Sequence, residues 1–295
     1  MAIVGLYILI HRQKPITIYL IFNILDKMNL DLLSFQYYKG MSKKVPIVLK
    51  VIDLEDKSKY PPIHSHLPQP PFNLLVCGSV KQGKTNLLVN LLRNEDTMYG
   101  EKYWDQVKIF SNSIHNDPKG KYLKDAFEVY DGYKDSYIDK FIDEQKSHER
   151  EDMQTALLVF DDIINKDFKR NSSLAFLSSR FRHIETSIAI LTQSFRAISN
   201  IIRSNITNVI IFKQQSAKEL AKIQEEYEEF AGDKFMDYYT YAINESPYSF
   251  LVIDAQTNPA TFLLRFEKVI GRGDKSEIPK QPMEKTEPFK GENNE

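Results

Sequence analysis

Two glycines, a lysine and a threonine stand in Gly78-Ser79-Val80-Lys81-Gln82-Gly83-Lys84-Thr85 at the spacing G-x-x-x-x-G-K-[ST]. That spacing suits the grip of a polyphosphate. Several backbone N–H groups must converge on the ligand, and a chain free of Cβ obstruction at Gly78 and Gly83 supplies them. Lys84 is then expected to reach the β- and γ-phosphates and the Thr85 hydroxyl to ligate Mg²⁺, with Ser79, Lys81, Gln82 and Asn86 completing the nucleotide contacts. The loop by itself binds a nucleoside triphosphate and does not cleave it.

Cleavage needs carboxylates, and the chain offers two. Ala156 to Phe160 is a continuous apolar run ending in Asp161-Asp162, and carboxylates at the end of a central parallel strand point into the crevice where α/β sheets bind ligands. Asp161 is the candidate to hold Mg²⁺ through its water shell, and Asp162 to polarise the attacking water. Capping of the next helix explains the pair equally well when it is taken alone. Downstream of a phosphate loop the catalytic reading takes precedence. A second apolar run, Ser187 to Leu191, ends in Thr192-Gln193. The Gln193 amide is a candidate to sense the γ-phosphate or orient water from the neighbouring strand, or simply to close the strand end. Arg180 and Arg182 flank Phe181 at a predicted helix end, where a guanidinium could reach another subunit's γ-phosphate or serve the helix dipole.

These residues require a scaffold of strands and helices in alternation. Leu74 to Cys77 reads as a buried strand, and Leu87, Leu88, Leu91 and Leu92 recur at helical spacing, so the loop joins strand to helix. Further strands are expected near 106–110, 127–133, 156–160, 187–191 and 208–213. Helices are expected over 136–150, 174–181, 217–230 and 233–243, and a closing strand pair lies around Asn258-Pro259. The pattern predicts an α/β fold: a mostly parallel central sheet flanked by helices, with extra strands at the C-terminal end.

With 295 residues, 42% of them hydrophobic, the chain can bury one large domain. A formal net charge of -1 provides no global attraction to nucleic acid, so any such contact has to be local. The single cysteine, Cys77, excludes a disulfide framework within the chain. Residues 1–44 read as an N-terminal extension, because His11 to Pro15 break its apolar stretches into pieces too short to span a bilayer. A soluble start at Met28 or Met41 and a membrane-surface anchor both fit it. Residues 45–270 form the expected domain, entered by a strand over 45–52 and a proline-rich linker, Tyr60 to Pro71. Residues 271–295 are too poor in apolar side chains to pack and are expected to be disordered. His64 and His66 in the linker lack further ligands nearby and read as loop residues. Glu225, Glu226, Glu228 and Glu229 read as a solvated face or a subunit contact.

Taken together, GSVKQGKT, LLVFDD, RFRHIETSIAILTQS and IIRSNITNVIIFK resemble the FtsK/HerA superfamily of P-loop DNA-pumping ATPases. Within it the chain is most similar to the poxvirus-type genome-packaging ATPases of large DNA viruses and virophages. The similarity covers about Pro71 to Gln215 and extends loosely to Ile270. It implies a RecA-like P-loop NTPase domain that binds ATP and Mg²⁺. It further implies assembly as a homo-oligomeric ring, a hexamer or pentamer, that threads double-stranded DNA toward a capsid in the host cytoplasm or virion. It favours Arg182 over Arg180 as the finger reaching a neighbour. The chain departs from many of these motors in carrying Asp162 where they place a glutamate. Other readings are a P-loop kinase for a small acceptor, left open by Arg196 and Arg203, and a weakly hydrolysing virion component. Lys166, Lys169 and Arg170 are candidate DNA-channel residues or an ordinary solvated loop.

Overall fold

The computed structural model describes residues 58–114, 120–163 and 172–273. Its strands are β1 (Asn73–Cys77), β2 (Gln106–Ser111), β3 (Glu128–Asp131), β4 (Ala156–Asp161), β5 (Thr186–Thr192), β6 (Asn208–Ile211), β7 (Leu251–Asp254), β8 (Thr261–Leu264) and β9 (Lys268–Arg272). Every residue of β1, β4, β5 and β6 is buried. Their continuous apolar runs leave no polar face for water, so they must be covered on both sides.

The strands form one nine-stranded sheet in the order β3-β2-β4-β5-β1-β6-β7-β8-β9. From β3 to β6 all neighbours are parallel. The last three strands join antiparallel at the β6 edge. This is the expected α/β fold with a mostly parallel central sheet, and the additional strands come at the C-terminal end.

Helices fill the crossovers: α1 (Lys84–Arg93), α2 (Gly120–Lys124), α3 (Asp135–Lys146), α4 (Ser173–Arg180), α5 (Asn200–Arg203), α6 (Ala217–Ala231) and α7 (Phe235–Asn244). Alternate residues of each strand point to opposite faces, and two cores result. Leu74, Val76, Leu157, Val159, Ala189 and Leu191 meet Leu87, Leu88, Leu91 and Leu92 of α1 on one face. Leu75, Leu158, Phe160, Ile188 and Ile190 meet α3, α4, α6 and α7 on the other. Serines at 172, 199 and 216 accept hydrogen bonds from first-turn amides of α4, α5 and α6, which fixes where those helices begin.

Two expectations need revision. The proline-rich segment after Tyr60 is packed rather than merely connecting. Tyr60 donates to the Glu185 carbonyl, and Tyr99 and Tyr103 donate to the carbonyls of Pro68 and Pro61, so aromatic anchors tie the segment to the α1 face. Gly271 and Arg272 belong to β9, paired with Phe262 and Thr261, so the fold extends past the expected boundary at 270. Sequence patterning missed β9 because its apolar content is only Val269 and Ile270. The N-terminal extension, the strand expected over 45–52, the tail from 274 onward, and Lys166, Lys169 and Arg170 lie outside the described residues. No described helix is long and apolar enough to cross a membrane.

Gln145, 2% exposed, pins α3 to the segment entering β5. Its Nε2 donates to the Gln154 carbonyl at 2.8 Å and the Ile184 carbonyl at 3.0 Å. Ile184 closes the 3₁₀ turn Phe181–Ile184 that carries Arg182. Gln145→Leu keeps the bulk but strands the Gln154 carbonyl and leaves the Ile184 carbonyl with Thr186 Oγ1 alone, at 2.7 Å. It is expected to cost about 1–3 kcal/mol in urea unfolding and to accelerate amide hydrogen exchange across residues 181–184.

Candidate functional site

The loop after β1 is built by its neighbours. The Gly78 amide donates to the Thr192 carbonyl at the end of β5 (3.2 Å) and the Ser79 amide to the Lys213 carbonyl just past β6 (3.3 Å). Ser79 Oγ accepts from the Gln215 amide at 2.8 Å. The loop is thereby suspended between the two strands flanking β1. Gly83 turns the chain into α1 at φ +102°, a conformation side chains rarely adopt. Gly78 is required for a reason other than phosphate access: a Cβ there would stand 2.6 Å from Phe212 Cβ.

Lys84 is 7% exposed. Its Nζ donates to the Gly78 carbonyl at 2.8 Å and the Ser79 carbonyl at 3.3 Å, so the ammonium lies within the loop's curve. Cys77, directly before the loop, is buried. Loss of solvent pushes its thiol up to about 12, with the Glu219 carboxylate adding to the effect.

Asp161 ends β4 on the same sheet face as Leu157 and Val159. It is buried, and its Oδ2 accepts from Ser111 Oγ at 3.1 Å, Ser111 being its register partner on β2. Asp162 leaves the strand at φ +50°, held by its amide to the Leu191 carbonyl at 3.0 Å. Gln193 Nε2 donates to Asp162 Oδ2 at 2.8 Å, joining the ends of adjacent strands β4 and β5. Asp162 Oδ1 is buried and takes no hydrogen bond from any described residue. Such an oxygen needs a donor or a cation. The segment after Gln193 is fixed from α6, where Glu219 accepts from Ser194 Oγ and from the Arg196 amide, both at 3.1 Å.

A cavity of about 840 Å³ opens over the loop. Lys81, Gln82, Gly83, Lys84, Thr85 and Asn86 line it from the loop and α1, and Ser113, Asp162 and Gln193 from the β2, β4 and β5 ends. Phe212, Tyr248, Phe250, Arg265, Phe266 and Glu267 line it from β6 and the C-terminal strands. The sequence reading missed this last group. The residues carry no motif, and only the antiparallel pairing of β7 and β8 onto β6 brings them to the loop.

Arg182 lies at the other end of the sheet. It sits on the 3₁₀ turn before β5, exposed, with its guanidinium 5.5 Å from the Phe181 ring centre. The seven-residue strand β5 separates it from Gln193, a span of about 20 Å. Arg180 rests 4.3 Å over the Phe176 ring. Arg203 is not a free lid arginine. Its Nη1 donates to the Ile198 carbonyl at 2.6 Å and its Nε lies 3.3 Å from Glu226, so the residue binds α5 to α6. That pairing also accounts for one glutamate of the acidic cluster. His66 meets the Phe266 carbonyl through Nδ1 at 2.9 Å, and the described residues contain no group of three or more His, Cys, Asp or Glu placed to hold a metal.

The family model of the poxvirus A32 protein matches residues 63–227. No curated protein sequence matches. Among solved structures, the chain resembles the genome packaging NTPase B204 from Sulfolobus turreted icosahedral virus 2 at 18% identity, covering 67% of this chain and 98% of that one, with a TM-score of 0.48. B204 from Sulfolobus turreted icosahedral virus matches at 15% identity, over 65% and 97% of the two chains, TM-score 0.48. The pCW3 conjugation coupling protein TcpA matches at 11% identity, over 69% and 60%, TM-score 0.43.

The two glycines have separable expected effects. Gly78→Ala forces Phe212 aside and should cost about 1–3 kcal/mol. Gly83→Ala must hold a positive φ and should cost about 1–2 kcal/mol. Urea denaturation without nucleotide measures both.

Proposed function

The chain belongs to the poxvirus A32 protein family, and on that premise we propose that it is an ATPase that drives double-stranded DNA into a viral capsid. It works as a homo-oligomeric ring, a hexamer or pentamer, with its catalytic sites shared between subunits. One observation carries this reading: Arg182 is exposed about 20 Å of strand away from its own loop cavity. A guanidinium placed there serves catalysis only by entering the site of another copy.

The cavity residues divide the chemistry. Lys84 exchanges its two loop carbonyls for the β- and γ-phosphate oxygens. Backbone amides of residues 79–84 and the positive end of α1 surround the polyphosphate. Magnesium would supply charge neutralisation at the polyphosphate, and the Thr85 hydroxyl with Asp161 would hold it. The donor set fits: a threonine lining the cavity and a buried carboxylate at the end of β4.

Asp162 Oδ1 accepts a hydrogen from the attacking water and orients its lone pair at the γ-phosphorus. Gln193 holds the other oxygen of the same carboxylate, so loss of the γ-phosphate at one residue is felt at the other. Arg182 from a neighbour offsets charge developing on the transferred phosphoryl oxygens.

With a net charge of -1 the chain has no overall attraction to DNA. Contacts are therefore confined to the ring's channel, directed at phosphates, independent of sequence and weakened by salt. The setting is the infected host's cytoplasm and the virion, with capsid components as partners.

ATP turnover with and without linear double-stranded DNA tests this reading. DNA should stimulate hydrolysis. Lys84→Ala should abolish it, and Arg182→Ala should lower it by about 10³-fold while ATP binding persists. Mixing the two inactive variants should restore turnover, because an interface pairing an intact Lys84 with an intact Arg182 exists only in mixed rings. Hydrolysis indifferent to DNA, with phosphate transferred to a small acceptor, would overturn the motor in favour of a kinase.

A further inference from the structure

The cavity over the loop has two unlike sides. Because β1 lies between β5 and β6 in the sheet, Asp162 and Gln193 stand on one flank of the loop and the β6–β9 residues on the other. The carboxylate flank is polar and reaches the γ-phosphate end in the reading above. The opposite flank is aromatic. Phe212 and Phe250 lie 4.9 Å apart and Phe250 and Phe266 5.5 Å apart, forming a chain of largely buried rings along the cavity wall.

One ring of this flank faces outward. Tyr248 is 67% exposed, yet its ring rests against the loop, with Cδ1 3.5 Å from where a Gly83 Cβ would stand. Its backbone is held at φ +65°, and that of Arg265, which lines the same cavity, at φ +50°. A bulky residue in this region is strained, and strain of this kind persists where the surrounding structure fixes a side chain for use. Arg265 at the rim is set by Glu267 at 2.8 Å and Glu245 at 3.6 Å.

We infer that Tyr248 is the platform on which the nucleotide's base stacks, so that the C-terminal strands supply the nucleoside half of the site. The inference rests on the nucleotide-binding reading of the cavity. It adds residues beyond the segment matched by the family model, which ends at 227. A polyphosphate anchored at Lys84 with its γ end toward Asp162 must direct its sugar and base away from that carboxylate, and Tyr248 is the exposed flat surface on that side. Stacking accepts any base with a π face and favours the larger purines. The flank therefore supplies affinity for a purine nucleoside triphosphate.

Calorimetric titration of the full chain with Mg-ATP and with Mg-tripolyphosphate, which has no base, tests this. Tyr248→Ala should weaken ATP by about tenfold and leave tripolyphosphate unchanged, while Tyr248→Phe should bind both as the unaltered protein does. Tyr248→Gly suits the positive φ and should show the same ATP loss with undiminished thermal stability, which guards against misfolding of the alanine variant. Lys84→Ala should weaken both ligands. If Tyr248→Ala and Tyr248→Gly bind ATP unchanged while Lys84→Ala does not, the base platform is wrong and the nucleotide site stands. If the unaltered protein binds neither ligand, both readings fall together.

Discussion

The loop after β1 keeps its shape because two strands hold it from either side. Its first amides bond to carbonyls at the ends of β5 and β6, and those strands are themselves fixed to β1 in parallel register. An isolated stretch of this composition would have no reason to curve its N–H groups toward a common centre. Burial of β1, β4, β5 and β6 on both faces supplies that reason, since each strand's position follows from what it packs against. The geometry of the loop cavity is thus inherited from the middle of the sheet, where exposure is lowest and displacement costs most.

The same parallel order explains how distant residues cooperate. Asp161, Asp162 and Gln193 come from two strands separated by more than twenty positions in the chain, yet the register places Asp161 opposite Leu191, two residues before Gln193. The hydrogen bond from Gln193 to Asp162 turns two strand ends into one polar unit. Glu219 on α6 then fixes the segment that follows. A change at the Asp162 end of the cavity therefore has a covalent and hydrogen-bonded route into α6.

Much of this was legible in the chain itself. The strand-loop-helix at Gly78 to Thr85, the apolar run before Asp161-Asp162 and the run before Gln193 were readable because buried parallel strands have a strong signature and their polar ends are abrupt. The structure pairs those strands as neighbours. The function of Gly78 was read incompletely, since nothing local in the sequence announces that Phe212 approaches it. Arg203 appeared available for chemistry because a side chain's partners across a helix pair cannot be seen from spacing; Glu226 and the Ile198 carbonyl occupy it. β9 and the aromatic flank of the cavity escaped for a related reason. Short antiparallel strands carry little periodicity, and Tyr248 in a turn is indistinguishable from any exposed tyrosine until the sheet edge folds back.

Cys77 has a practical corollary. It is the chain's only cysteine, it is buried, and its thiol is held protonated far above neutral pH. Maleimides and oxidants act on the thiolate, so the native protein presents almost nothing to them. A cysteine introduced at any chosen surface position would be the sole reactive handle, and a fluorophore could be attached there without first engineering the native thiol away from the foot of the nucleotide loop.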